Sequence, residues 1–350
     1  MAARLKAALL GASGYTGADL LRLGLKHPNL DFVALSANSH AGKPIGAVFP
    51  HLAGFGLPDL VTAEEVSAKG LDVVFCGLPH ATSQKLVAAM VAQSPSLKVI
   101  DMGADFRFRD PAVYAATYKS EHVAPKLQKV TAYGLTEHNR KQIAKARIIA
   151  CPGCYPTATL LALIPLVKSG AILGEDIIVD AKSGVSGAGR GLKLGSLFSE
   201  MGESLAPYSV GNHRHAPEIE QELTRFAGSA ITVNFTPHLI PMSRGELVTC
   251  HVKLGKAKSA ADLRKALARA YADEPFIRIA PEGEMPSTGA VRGSNFCLIN
   301  VFDDRIAGRA IVIAVIDNLV KGSAGQALQN FNVAFGFPET TAIDQLALFP

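Results

Sequence analysis

The chain has 350 residues, 48% of them apolar and 19% charged, and its net charge of +5 is spread along the sequence. This length suits two domains with an ample core, and the lack of a basic run or an aromatic-basic stripe excludes nucleic acid as the expected partner. Mild positive charge fits anionic small molecules instead. Five cysteines in so long a chain make no disulfide framework, so a reducing compartment, the cytoplasm, is expected. Met1 to Lys6 are read as leading directly into a strand without an apolar leader, and apolar runs such as 160–167 and 311–316 are too short to span a membrane.

The first predicted element is a strand at Ala7-Ala8-Leu9-Leu10, followed by the turn Gly11-Ala12-Ser13-Gly14-Tyr15-Thr16-Gly17 and a helix over 18–23. The G-x-x-G-x-x-G spacing is a variant of the dinucleotide fingerprint: glycines let the backbone approach a pyrophosphate, and the helix N-terminus supplies amide donors. A glycine turn also serves as mere punctuation, but its place after a short apolar strand favours the nucleotide reading. Gly11, Ser13, Gly14, Tyr15, Thr16 and Gly17 are therefore candidate cofactor contacts. A second strand over 32–35 ends in Ser36-Ala37-Asn38-Ser39, with Lys43 nearby. An NAD-selective domain places a carboxylate at such a tip. Here the tip is neutral and hydrogen-bonding, so Ser36, Asn38, Ser39 and Lys43 predict NADP. Further strands over 72–76 and 98–101 alternate with helical stretches, which implies a parallel sheet with ligands at the strand C-terminal ends.

Next, a branched apolar run ends at Cys151-Pro152-Gly153-Cys154-Tyr155-Pro156 and delivers Cys154 into the start of an apolar helix. Helix-terminal amides favour thiolate over thiol, lowering a pKa otherwise near ~8.5. Such a cysteine also suits a role as a small buried hydrophobe, and C-x-x-C spacing fits a redox dithiol or half a zinc site. The other cysteines, Cys76, Cys250 and Cys297, are isolated, so no second pair completes a zinc site, and no metal is expected. Cys151 is either packed under the loop or poised to form a local disulfide with Cys154.

A strand over 176–182 then runs into Ser183-Gly184-Val185-Ser186-Gly187, a glycine-serine stretch that suits either a flexible loop or close approach to a second part of the cofactor. Gly211-Asn212-His213-Arg214-His215-Ala216-Pro217-Glu218 follows, with Pro217 and Glu218 fitting the first turn of a helix. The histidines read as surface residues or, beside a nucleophilic thiol, as general acid/base groups.

In order along the whole chain, the glycine turn, Asp105-Phe106-Arg107, the Cys154 run, the His213–His215 run and Asp317-Asn318-Leu319-Val320-Lys321-Gly322-Ser323-Ala324-Gly325-Gln326-Ala327 resemble the N-acetyl-gamma-glutamyl-phosphate reductases. These are the arginine-biosynthesis members of the aspartate-semialdehyde dehydrogenase group. The resemblance implies an α/β protein with a Rossmann-type NADP-binding domain over 1–153, an α+β catalytic and oligomerisation domain over 154–317, and a segment over 318–350. The helix of that last segment, beginning near Asn318, would return to the first domain. It further implies Cys154 as nucleophile and His215 as principal acid/base with His213 assisting. Arg107, Arg214 and Glu218 would bind an acyl-phosphate substrate, and Asn318 with the glycines after it would close over the nicotinamide. A homo-oligomer, dimer or tetramer, is expected on the same ground. Two residues depart from the family pattern: Cys151 stands where asparagine is usual, and Gly103 where serine is usual.

The implied reaction is reductive dephosphorylation of N-acetyl-glutamyl 5-phosphate through a Cys154 thioester, with release of phosphate. Two alternatives stay open from the residues alone. One is the same chemistry on an aspartyl or carrier-linked aminoadipyl phosphate; the other is a non-catalytic NADP-sensing protein that keeps the fold.

Overall fold

The short apolar runs Ala7–Leu10, Val73–Cys76 and Ile148–Ala150 become strand segments enclosed on both faces, as the centre of an all-parallel sheet demands. The computed structural model describes residues 4–349. Met1 to Ala3, read as leading into the first strand, lie outside the described residues, as does Pro350. The strands are β1 (Leu5–Leu10), β2 (Leu30–Ser36), β3 (Leu60–Val61), β4 (Val73–Cys76), β5 (Lys98–Asp101), β6 (Ala132–Tyr133) and β7 (Ile148–Ala150). They lie side by side in the order β3-β2-β1-β4-β5-β7-β6, every neighbouring pair parallel. The order reverses between β1 and β4, which makes the crevice beyond their C-terminal ends the expected ligand position.

The chain divides into two compact units, the first made of the residues up to Pro152 together with Ser323–Asp344. The returning segment brings the Gly325–Phe335 helix against the Tyr15–Gly24 and Thr136–Lys145 helices. It begins later than near Asn318, because Val320–Ala324 first form a single wide helical turn with i to i+5 spacing. Phe331 is fully enclosed, 5.8 Å from the Phe75 ring, and the buried His27 shares a 2.9 Å hydrogen bond between Nε2 and the Asn332 Oδ1.

The second unit comprises Gly153–Gly322 and the residues from Gln345 onward. Its strands are β8 (Ile177–Gly184), β9 (Ala206–Pro207), β10 (Val233–Ile240), β11 (Glu246–Lys253), β12 (Ile277–Ile279), β13 (Cys297–Asp303) and β14 (Arg309–Ile316). They form a mixed sheet in the order β12-β13-β14-β11-β8-β10-β9, with β8/β10 and β12/β13 parallel and the other pairs antiparallel. Along β11 the residues Glu246, Val248, Cys250 and Val252 are fully enclosed, while Leu247, Thr249, His251 and Lys253 alternate with them on a partly open face. Such alternation marks a sheet covered on one side. The cover is the Cys154–Lys168 helix, packed on β11, β14 and the His215–Ala227 and Ala260–Ala270 helices.

That helix is apolar all round and carries Pro165 inside it. Proline has no N–H to give the carbonyl four residues back, and Leu161 would be left with a buried orphan acceptor. The Tyr271 hydroxyl donates to the Leu161 carbonyl at 2.6 Å and repairs the gap. Among the described residues no helix is long and apolar enough to cross a membrane.

Candidate active site

Cys154 is the first residue of the Cys154–Lys168 helix, and Gly153 before it holds extended backbone at φ −64° and ψ 159°. No side chain caps this helix end. Instead Glu218 Oε1, fully buried, accepts the Gly153 N–H at 3.0 Å, and the Thr157 hydroxyl donates to the Gly153 carbonyl at 2.9 Å. Both contacts fix the direction in which the helix presents its first residue. Among the five cysteines, Cys154 is half-buried and the other four are buried.

Two glycines confine the thiol and its neighbour. A Cβ on Gly153 would overlap the imidazole of His215, so the ring lies directly against the helix cap. A Cβ on Gly322 would sit 2.8 Å from the Cβ of Cys154. His215 is the first residue of the His215–Ala227 helix, so Pro217 and Glu218 fall in its first turn as expected. His213 meets His215 edge-on at 4.8 Å between ring centres and also touches Tyr155, Tyr208 and Phe235. Burial, aided by the Arg214 charge, pushes His213 down to about 4. Its Nδ1 accepts the His215 N–H at 3.1 Å, which puts the proton of the neutral ring on Nε2. His213 is therefore a hydrogen-bond donor at neutral pH.

Cys154, Tyr155, Ser183, Lys193, Tyr208, His213, Arg214 and His215 line one cavity of about 490 Å³. The Tyr208 hydroxyl donates to the Tyr155 hydroxyl at 3.3 Å, which in turn donates to the His238 carbonyl at 3.3 Å. Lys193 and Arg214 make this cavity positive, suited to an anionic substrate.

Other residues singled out from the sequence lie within the same unit. Gly184 ends β8, and Ser186 and Gly187 form a single 3-10 turn after it. Asn318 is 2% exposed: its Oδ1 accepts the Gly245 N–H at 2.9 Å and its Nδ2 donates to the Ser186 hydroxyl at 2.9 Å, so it ties this turn to the start of β11.

In the first unit the glycine turn follows β1 as expected. Gly11 has φ +82°, and a Cβ there would lie 2.6 Å from the Gly77 carbonyl oxygen at the end of β4. A Cβ on Gly17 would lie 2.8 Å from the carbonyl oxygens of Gly11 and Ala12. Gly14 precedes the Tyr15–Gly24 helix without any side-chain cap. A cradle that side chains would fill, beside uncapped helix amides at the sheet's reversal point, fits a dinucleotide pyrophosphate. Ser13 is half-buried and Tyr15 exposed at the lip of the turn, and the Ser323 hydroxyl donates to the Thr16 hydroxyl at 3.2 Å. At the β2 tip, Ser36 is buried with Oγ 3.4 Å from the Gly11 N–H, and Asn38 Oδ1 accepts the Ala63 N–H at 3.0 Å. Ser39 and Lys43 are exposed.

Arg107 is 8% exposed and donates from Nε to the Cys151 carbonyl at 2.9 Å and from Nη2 to the Met102 carbonyl at 3.2 Å. It braces the segment that leads out of β7. Asp105 gathers the Ala81 and Ser83 N–H groups and the Ser83 and Tyr114 hydroxyls within 3.0 Å. Cys151 is 1% exposed, pushed up to about 12 by burial, and its sulfur receives the Asn330 Nδ2–H at 3.5 Å. It is the packed thiol of the two alternatives. Among the described residues no group of three or more His, Cys, Asp or Glu side chains is placed to hold a metal ion.

Glu246 was not singled out from the sequence. A carboxylate at the head of the inward file Glu246, Val248, Cys250, Val252 was the available signal. Tyr208 gave none, because only the fold brings it to the cavity, and Gly322, flagged only with the glycines after Asn318, lies against the thiol instead.

Residues 6–146 match the family described as Semialdehyde dehydrogenase, NAD binding domain, and residues 154–318 match Semialdehyde dehydrogenase, dimerisation domain. A Rhodospirillum rubrum protein named N-acetyl-gamma-glutamyl-phosphate reductase is 52% identical over 352 residues, covering 100% of both chains. An Arabidopsis thaliana protein named probable N-acetyl-gamma-glutamyl-phosphate reductase, chloroplastic, is 50% identical over 98% of this chain and 84% of its own. Among solved structures, aspartate semialdehyde dehydrogenase II from Vibrio cholerae superposes with a TM-score of 0.74 at 18% identity, covering 95% of this chain and 98% of that one. At that identity the likeness concerns the fold.

Proposed function

The chain belongs to the N-acetyl-gamma-glutamyl-phosphate reductases, within the semialdehyde dehydrogenases, and from that premise we propose that it reduces N-acetyl-glutamyl 5-phosphate to the 5-semialdehyde with NADPH, as a step of arginine biosynthesis. The observation that carries the reading is Cys154 at an uncapped helix N-terminus, with the His215 ring against its cap, in a positive cavity.

In this mechanism the Cys154 thiolate attacks the acyl carbonyl, the C–O bond to phosphate breaks, and phosphate leaves to give a thioester. His213, neutral and donating from Nε2, stabilises the carbonyl oxygen as it gains charge. Arg214 and Lys193 hold the substrate's anionic groups in the cavity. Arg107 holds the chain before Cys154 through the Cys151 carbonyl and supplies positive charge for the acyl phosphate. When bound, the nicotinamide cofactor supplies the hydride that takes the thioester to the aldehyde level. The tetrahedral oxyanion then collapses, the C–S bond breaks, and His215 moves the proton that resets the sulfur. The covalent step keeps the acyl group fixed within reach of reduction. Ser39 and Lys43, exposed beyond a β2 tip without a carboxylate, support NADP over NAD.

A homo-oligomer belongs to the same proposal. Ile178, Leu247, Ile311 and Ile313 stand on the partly open face of the mixed sheet, an apolar surface suited to a second copy. A reducing compartment such as the cytoplasm suits a working thiol.

The test is the reverse reaction: NADP reduction with N-acetyl-glutamate 5-semialdehyde and phosphate, run beside aspartate semialdehyde. Preferential turnover of the acetylated substrate is expected. Equal or greater turnover of the aspartate compound would replace the substrate, and cofactor binding with no turnover of either would replace the enzyme reading.

A further inference from the structure

The wide turn over Val320–Ala324 sets Gly322 against Cys154, and no step of the reaction calls for a glycine there. A Cβ on Gly322 would lie 2.8 Å from the Cys154 Cβ, 3.3 Å from the Cys154 Cα and 3.3 Å from the Ile316 Cδ1. Glycine is often kept for a positive φ, but Gly322 is not among the glycines that have one. Its backbone is one that alanine adopts without strain, and in a helical turn alanine is ordinarily the better residue. What excludes a side chain here is the space that Cys154 takes.

Both sides of this contact are held. Asp317 pins the turn: its Oδ1 accepts the Leu319 and Val320 N–H groups at 2.8 and 3.0 Å, and its Oδ2 accepts the Gly293 N–H at 2.7 Å. The Gly322 N–H donates to the Asp317 carbonyl at 3.0 Å, five residues back, and closes the wide turn. Lys321, next in the chain, is 0% exposed, with its Nζ 5.8 Å from the Phe276 ring centre. Ile316 is fully enclosed and pairs with Glu246 at the head of β11. On the thiol's side, Glu218 and Thr157 fix the Gly153 peptide.

Cys154 is the first residue of its helix. Inside a helix the preceding turn removes one of the three staggered χ1 positions, but before the first residue there is no such turn. The helix alone leaves the sulfur free to rotate, so tertiary neighbours must set its direction. Resting on the reading that Cys154 is the nucleophile, we propose that Gly322 is the positioning residue that sets it. The bare Cα of Gly322 lies against the Cys154 Cβ, closes that side to the sulfur, and keeps it turned into the cavity that Cys154 lines. A methyl group at position 322 leaves the histidines and the cavity's cations in place but moves the sulfur off its line of attack on the acyl carbon.

The experiment pairs kinetics with a stability cycle in the full chain. In Gly322→Ala, kcat for NADP reduction with N-acetyl-glutamate 5-semialdehyde and phosphate should fall about 10²-fold, with KM for the semialdehyde and for NADP within about threefold of wild type. Separately, the loss of urea midpoint caused by Gly322→Ala should largely disappear when the same change is made in Cys154→Gly, which lacks the opposing Cβ. An unchanged kcat in folded Gly322→Ala overturns the proposal. So does a raised KM with kcat intact, which would set Gly322 against a bound molecule instead of the thiol. An equal loss of midpoint in both backgrounds also overturns it, because the clash then lies elsewhere. If Gly322→Ala does not fold, the cycle still decides: folding restored by Cys154→Gly supports the contact, and an equally unfolded double variant overturns it. Failure of the nucleophile reading looks different: Cys154→Ser keeps its turnover, while the stability cycle is unaffected.

Discussion

The glycine turn after β1 and the thiol site are built from different materials. Seven consecutive residues, Gly11 to Gly17, make the first, and their work is done by backbone: a positive φ, close approach to Gly77, and uncapped amides. The second is assembled from the Cys154 cap, the His213–Glu218 stretch, the head of β11 and the wide turn at Gly322, which come together only in the folded sheet. Binding and chemistry are therefore separable here: each region should fail without disabling the other.

Cys154→Ser separates the two regions by the largest effect. Turnover should fall by about 10³-fold or more, as for loss of a covalent nucleophile, while NADPH affinity measured by fluorescence titration stays unchanged. Cys151→Ser should remain active, since that sulfur is buried and held by Asn330. An active Cys154 variant beside a dead Cys151 variant would reverse the assignment.

A reciprocal pair of alanines comes next. Gly153→Ala forces the His215 ring aside, and displacing a catalytic group by about an ångström costs roughly 10²-fold in kcat. Gly11→Ala combines a φ of +82° with a Cβ 2.6 Å from a carbonyl oxygen, so it should weaken NADPH binding while Cys154 alkylation proceeds at the wild-type rate. If each variant damaged both readouts equally, the two regions would not be separable.

The same contrast explains what the sequence made legible. The parallel sheet follows from short apolar runs separated by helical stretches, and the turn follows from glycine spacing, because both are local patterns. Cys154 and the two histidines were legible for the same reason, each lying at a helix start flagged by proline or glycine. Most of the mixed sheet was not, since β9 and β12 are two or three residues long and gain their pairing from neighbours far away in the chain. Glu246 was hidden because its meaning depends on which face of β11 turns inward. The helix start at Gly325 was misplaced because the wide turn over Val320–Ala324 inserts a residue that no composition rule reveals.

Cofactor choice is decided on the side of the glycine turn. Lys43→Ala should erode preference for NADPH over NADH by about 10- to 100-fold, the equivalent of losing a charge-assisted hydrogen bond of about 1.5–3 kcal/mol. The ratio of catalytic efficiencies with the two cofactors measures it. A ratio near one already in the wild type would sink the NADP reading.

Acid stability tests the thiol side. Burial holds His213 near 4 in the folded protein against an ordinary imidazole value of 6.5, so the unfolded chain binds its proton first as pH falls. Its contribution to stability is complete above about pH 6.5 and is lost between there and about pH 4, by roughly 3 kcal/mol. His213→Asn should flatten that part of the Tm-against-pH curve. A curve of unchanged slope would mean that His213 is already charged in the fold and is no neutral donor.

The smallest expected effect comes from the support of the thiol helix. Pro165 removes the amide that would have met the Leu161 carbonyl, and the Tyr271 hydroxyl takes its place at 2.6 Å. Leu161 is fully buried, so in Tyr271→Phe its carbonyl loses this donor and no water can replace it. A buried acceptor deprived of a neutral partner costs about 1–2 kcal/mol, read as a lower midpoint in urea with unchanged slope. The acceptor lies two helical turns from Cys154, and the cap contacts of Gly153 with Glu218 and Thr157 are untouched. Turnover in the native range should therefore stay at the wild-type level. The double change Pro165→Ala with Tyr271→Phe should recover most of the loss, because alanine restores the amide that the Leu161 carbonyl lacked. If the double variant is as unstable as the single one, the hydroxyl is not compensating for the proline.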